Sequence, residues 1–200
     1  MDTKKSGFSI IEVALVLGIA GLIFVMAFIA LPSLQASQRD ADRKARVMEF
    51  ISDVKTYQTN NSRGALPIWH STDGNAITLK GEDLFPLESY DHSDWTGFIK
   101  DYIDKNFEDP TGELYDFRII HYCDATNATG SKCTYAETNN TFNNKVNGDN
   151  EPTYDDDTEH TIFVVEGAIC DGDQIVKANN NRSVAALQVL ERAGRYCYNT

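Results

Sequence analysis

From Phe8 to Leu34 the chain carries one charged residue, Glu12, in twenty-seven positions. As a helix rising 1.5 Å per residue, this stretch measures about 40 Å, enough to cross a hydrocarbon core of about 30 Å with some tilt. A secretory signal peptide has a shorter apolar region closed by a small-residue cleavage site, whereas this run is longer and continues into a charged helical pattern. The segment is therefore read as a transmembrane helix. Lys4 and Lys5 favour an N-terminus on the inside, while Arg39, Arg43, Lys44 and Arg46 beyond Leu34 favour the reverse. The cysteines decide the orientation: all four lie downstream, and placing them outside puts the N-terminus inside.

At 200 residues the chain has room for one soluble domain with its own core plus an appended segment. The formal net charge is -12, from 30 acidic and 18 basic residues, which argues against nucleic acid as the main ligand. Cys123, Cys133, Cys170 and Cys197 include no CxxC pair and have no histidine cluster beside them, which argues against zinc. Short loop closures suggest Cys123 with Cys133 and Cys170 with Cys197; free buried thiols are the alternative. The second bridge would staple the C-terminus back onto the domain, worth about 3 to 4 kcal/mol in the loop-entropy model.

Glu12 needs a reason to be where it is. An ionised carboxylate in a membrane helix costs about 2.5 to 3.5 kcal/mol at the bilayer centre and less near an end. A cut between Gly7 and Phe8 would create an α-amino group four residues before Glu12, on the same helical face, able to pair with it within or between chains. A carboxylate snorkelling toward the headgroups is the simpler alternative. The stretch KKSGFSIIEVALVLGIAGLIF, residues 4–24, resembles the processing site of type IV pilins and the related pseudopilins of type II secretion: a short basic leader ending in Gly7, then Phe8, then Glu12 in an apolar helix. The resemblance implies that a membrane-embedded prepilin peptidase cleaves after Gly7 and N-methylates Phe8. It also implies that Glu12 neutralises the amine of a neighbouring subunit as that subunit joins a filament. The fold it implies is the pilin ladle, a long helix laid against a C-terminal sheet.

Gly18, Gly21 and Pro32 weaken the helix, since interior Gly costs about 1 kcal/mol and Pro about 3 relative to Ala. Small residues also permit close helix packing in a bilayer. By analogy with filaments of the resembled family, unwinding is expected between Gly21 and Pro32.

Beyond Pro32, Val47, Phe50, Ile51, Val54 and Tyr57 recur at helical spacing, with Arg39, Arg43, Arg46, Glu49 and Asp53 on other faces. Residues 35–63 thus read as an amphipathic continuation of the membrane helix, stopped by Gly64 and Pro67. Residues 65–92 read as loop. Trp95, Phe98, Ile99, Tyr102, Ile103 and Phe107 mark a second helix with Ser93 or Asp94 as N-cap. Strands are expected near 114–122, 161–169, 184–191 and 195–199, forming an antiparallel sheet of about four strands against the long helix, an α+β class. The DPTGELY stretch, 109–115, resembles a turn of pseudopilins and some pilins. The acidic, Asn-rich residues 123–160 read as a surface excursion. The resulting division is a leader at 1–7, a transmembrane or filament-core helix at 8–34, its continuation at 35–63 and a head domain at 64–200.

Asp155, Asp156, Asp157 and Glu159, with Asp171 and Asp173, invite calcium, but neither stretch fits an EF-hand loop, and acidic runs form solvated surface; no resident cofactor is expected. His70, His92, His121 and His160 are isolated, and no nucleophile motif accompanies them, so no catalytic group is assigned. Asn127, Asn139 and Asn181 head glycosylation sequons. Lys177, Arg182, Arg192 and Arg195 are the basic concentration of the distal half, read as counter-charges for acidic surface, with a DNA-contacting tip as the alternative. The expected role is a structural subunit of a type IV pilus, with itself, the prepilin peptidase, the assembly platform, minor pilins and the membrane as partners. The precursor would sit in the cytoplasmic membrane and the mature subunit in an extracellular filament. A type II secretion pseudopilin and a bitopic membrane protein with an outer binding domain are the alternatives.

Overall fold

Fifty-one residues, Ile10–Asn60, form a single helix, α1. Few residues between Gly21 and Asn60 oppose helix, and Pro32 deletes one ladder donor without ending it. The chain leaves the helix at Asn61, whose side-chain amide donates to the carbonyl of Tyr57, and Gly64 takes the left-handed conformation (φ 67°) that the exit requires. The computed structural model describes residues 7, 9–61, 64–68, 77–84, 91–121, 160–192 and 194–200. The chain divides into two units, one ending at Gln38 and the other spanning Arg39–Thr200.

In the first unit α1 is apolar on every side and its side chains are exposed all round, from Ile10 at 88% to Leu34 at 57%. In the second unit α1 buries one stripe, Val47, Phe50, Ile51, Val54 and Tyr57, as its periodicity requires. The rest of that unit is β1 (Ile77–Leu79), α2 (Gly81–Leu84), α3 (Trp95–Tyr102), β2 (Asp116–His121), β3 (Thr161–Glu166), β4 (Ala168–Asp171), β5 (Gln174–Lys177), β6 (Val184–Val189) and β7 (Arg195–Asn199). Helix α3 starts where Asp94 accepts from the Gly97 N–H as N-cap, and it stops at Tyr102, so Phe107 reaches the core from the following loop.

The sheet corrects the sequence expectation. It is mixed and five-stranded among the described residues, in the order β1-β2-β3-β6-β7, and β2 runs parallel to β3 with Asp116 opposite Thr161 and Ile120 opposite Val165. The strand expected at 161–169 breaks at Gly167 (φ 73°), where the chain turns into β4 and makes a separate hairpin with β5. Both faces of the five-stranded sheet are covered. Ile119, Phe117, Ile162, Val164, Val184 and Ala186 meet the α1 stripe and α3, while Ile120, Phe163, Val165, Ala185 and Leu187 pack with Ala168 and Ile175 of the hairpin. Burial on both faces explains the nearly unbroken apolar runs of β3 and β6.

Aromatic rings fill the gap between helix and sheet. Phe50 stacks on Phe117 at 5.3 Å and meets Phe98 edge-on at 5.9 Å, and Tyr57 meets Phe98 edge-on at 5.4 Å. Gly97 sits where a Cβ would lie 2.1 Å from the Asp91 carbonyl oxygen, so only glycine lets α3 start against that backbone. The Gly97→Ala variant is expected to melt at a lower temperature than the parent by several degrees in circular dichroism, because overpacking of this kind costs about 1 to 3 kcal/mol.

Candidate functional site

The N-terminal region joins Gly7, Ser9 and Glu12 to an exposed apolar surface. Gly7 is exposed and outside the helix, while Phe8 lies outside the described residues. Ser9 is the N-cap of α1. Its Oγ accepts from the Ile11 N–H at 3.3 Å, and the Glu12 carboxylate reaches back to accept from the Ser9 N–H at 2.9 Å. This reciprocal pair is a capping box, and it holds the lone carboxylate of the apolar segment against the first helical turn. The sequence reading assigned Glu12 a role and missed Ser9, although the S-x-x-E spacing before an apolar run is the signal for such a box.

Gly18 and Gly21 lie on open helix surface, with nothing within 4 Å of a built Cβ at either position. Pro32 stands inside the helix, which runs unbroken through residues 21–32. The expected unwinding concerns an assembled filament and is not a property of this single chain. An 18-residue window of α1 has a mean hydropathy of 2.9 with none of it buried, so the helix is long and apolar enough to cross a membrane.

Where the second unit begins, charges tie α1 to two loops. Arg39 grips Glu191 in the β6–β7 turn through two bonds of 2.7 and 2.6 Å, and Asp40 accepts from the Glu191 N–H at 2.8 Å. One turn on, Arg43 is fully buried and makes a bidentate pair with Asp109 at 2.7 and 3.1 Å. The sequence reading put Arg43 on a polar face; its place on the buried stripe is a correction, made possible by a carboxylate 66 positions away. Asp109 also accepts from the Thr111 N–H and hydroxyl and from the Tyr115 hydroxyl, which in turn accepts from Gln188. The DPTGELY turn therefore works as a clasp on α1. Burial alone would raise the Asp109 carboxyl, but the bonds from Arg43 and Thr111 outweigh it and hold it below its usual 3.8. Arg39 likewise depresses Glu191.

Cys170 and Cys197 are disulfide-bonded with Cα atoms 5.7 Å apart, linking β4 to β7 as the sequence suggested. Cys123 and Cys133 lie outside the described residues, as do Asp155, Asp156, Asp157, Glu159, His70, Asn127 and Asn139. Asp171 closes β4 and Asp173 stands exposed in the β4–β5 turn, and no group of three or more metal-ligating side chains converges among the described residues. His92 pairs with Asp101 at 2.7 Å and His160 with Glu113 at 3.1 Å. Asn181 is exposed in the turn before β6.

Lys177, Arg182, Arg192 and Arg195 do not form one patch. Arg182 precedes β6 and Arg192 follows it, so a strand of six residues, about 20 Å, separates them. A different basic feature emerges along α1. Lys44 lies over the Tyr196 ring at 5.8 Å and Lys55 over the Tyr198 ring at 5.7 Å, and the two rings stack at 6.4 Å. The alternation of Tyr196 and Tyr198 around Cys197 was legible in the sequence, but the lysines join them only through the fold.

Because the Asp109 carboxyl is depressed, it contributes stability that is present above its unfolded value and lost as pH falls through the folded one. Unfolding followed from pH 7 to pH 2 should show the melting temperature dropping below about pH 4. Asp109→Asn should flatten that drop and lower stability at pH 7 by about 3 to 5 kcal/mol, since it leaves Arg43 buried without its counter-charge. Cys170→Ser with Cys197→Ser should cost about 3 kcal/mol at every pH. Set beside family models, curated proteins and solved structures, the chain matches none of them.

Proposed function

We propose that this protein is a structural subunit of a bacterial type IV pilus or a closely related filament, without catalytic activity of its own. It is held in the membrane as a precursor, cut between Gly7 and Phe8 by a prepilin-type peptidase, and polymerised through the first half of α1. A single observation carries the reading: one helix presents about seven turns of apolar surface on all sides and then, without interruption, becomes the central packing element of an α+β domain. Such a surface cannot stay in water at about 25 cal/mol per Å² of apolar area, so it exchanges lipid for other copies of itself when it leaves the bilayer. The ladle form belongs to this proposal, as does the placement of the mature subunit outside the cell.

Glu12 gives assembly its register. In the precursor its carboxylate is engaged by the Ser9 N–H. After cleavage, an amine at Phe8 brought to about 4 Å would attract it by about 4 kcal/mol at an effective dielectric of 20, before desolvation is subtracted. A subunit docked out of register would leave both charges buried and unpaired.

Intact-mass measurement tests the reading. The mature chain is expected to begin at N-methyl-Phe8; a chain retaining Met1 in cells that possess the peptidase overturns it and favours a bitopic membrane protein. Gly7→Val should abolish cleavage. Glu12→Ala should leave the melting curve of the distal unit unchanged while reducing filament yield at least tenfold in electron micrographs, and filaments formed at parental yield would remove the register role.

A further inference from the structure

The second unit of α1 carries opposite charge on its two flanks. On either side of the buried stripe, the helix turns a basic edge toward β7 and an acidic edge away from it. Lys44 and Lys55 make the basic edge, each resting on a tyrosine of β7, and Lys55 shares an open groove of about 600 Å³ with Gln58, Asn180 and Arg182. Asp42, Glu49 and Asp53 make the acidic edge, where Arg46 pairs with Glu49 at 2.9 Å and leaves the edge net negative.

The spacings match. Lys44 and Lys55 are eleven residues apart, and so are Asp42 and Asp53. Eleven residues are close to three helical turns, so each pair lies on one line along the axis, about 16 Å from end to end. Two parallel copies side by side therefore need one axial offset to satisfy both pairs together. Asp53 has no hydrogen bond or ion pair among the described residues although it is only half exposed, and burial with the like charge of Glu49 pushes its carboxyl up to about 6. Among the described residues it is a carboxylate with no cation paired to it.

We propose that the Lys44–Lys55 edge of one copy docks on the Asp42–Asp53 edge of the next, making a lateral contact between distal units. The two edges are different surfaces of the same chain, so the contact is head-to-tail and propagates instead of closing on itself as a two-fold dimer. The tyrosines hold the lysine stems in place, so less side-chain freedom is lost on docking. The strong negative charge of the chain elsewhere penalises other registers by like-charge repulsion. The inference rests on the filament reading, since it names which surface of the distal unit meets its neighbour.

Charge exchange in the full-length chain, expressed in cells that possess the peptidase and assembly platform, tests it. Lys44→Glu with Lys55→Glu should lower filament yield about tenfold, and Asp42→Lys with Asp53→Lys should do the same. The chain carrying all four substitutions should recover to within about twofold of the parent. Circular dichroism melting of each variant separates loss of fold from loss of contact: a variant that melts like the parent and still fails to assemble supports the contact. Parental yield from both two-site variants, or failure of the four-site chain to recover while it melts like the parent, overturns the contact and leaves the filament reading standing. Processed parental chain that never forms filaments overturns both.

Discussion

Burial of one stripe on α1 is the interaction on which the second unit depends. Val47, Phe50, Ile51 and Val54 are wholly buried and Tyr57 nearly so. At about 1.5 to 3 kcal/mol for each large apolar side chain, their gross contribution is on the order of 10 kcal/mol before chain entropy is subtracted. The inner face of the sheet has the same need, since Phe117, Ile119, Ile162 and Val164 find their cover on α1 and α3. Neither helix nor sheet can be dry without the other. The element that completes this core is also the element that carries the apolar N-terminal run, so the folded domain and the apolar segment share one continuous helix.

Polar groups make that arrangement specific. The stripe alone would tolerate a helix sliding by a turn, with apolar residues exchanging places. Arg43 and Asp109 do not tolerate it, because a buried guanidinium displaced from its carboxylate loses several kcal/mol. Arg39 and Asp40 add a second fixed point by holding both the side chain and the backbone N–H of Glu191. The clasp lies at the start of the second unit. A bidentate arginine pair, a disulfide from β4 to β7 and a core of interlocked rings hold the second unit together.

Much of this was legible because it is local. The stripe on α1 follows from the 3.6-residue period, the N-cap of α3 from Asp94 before Trp95, and the Cys170–Cys197 bridge from its short loop. What was misread depends on distant partners. Arg43 looks solvated in sequence because nothing nearby announces Asp109. The parallel pairing of β2 with β3 could not be read from alternation, since strand direction is set by how the connection returns and not by the strand residues. Gly167 looked like an interior residue of a strand until the left-handed turn there separated β3 from β4. β1 and α2 fell in a stretch read as loop because three or four residues carry too little periodicity to register.

The sequence by itself determined that residues 8–34 must avoid water, that a lone carboxylate stands one turn into that helix, and that the helix continues with a single apolar stripe. Those are properties of composition and helical period, which every conformer of the chain shares. Only the tertiary structure decided which charges are buried, which strands run parallel, and that two tyrosines of β7 lie beneath two lysines of α1. Such facts arise when residues far apart in the chain are brought within a few ångströms, where desolvation and hydrogen-bond geometry act and the local pattern carries no record of them.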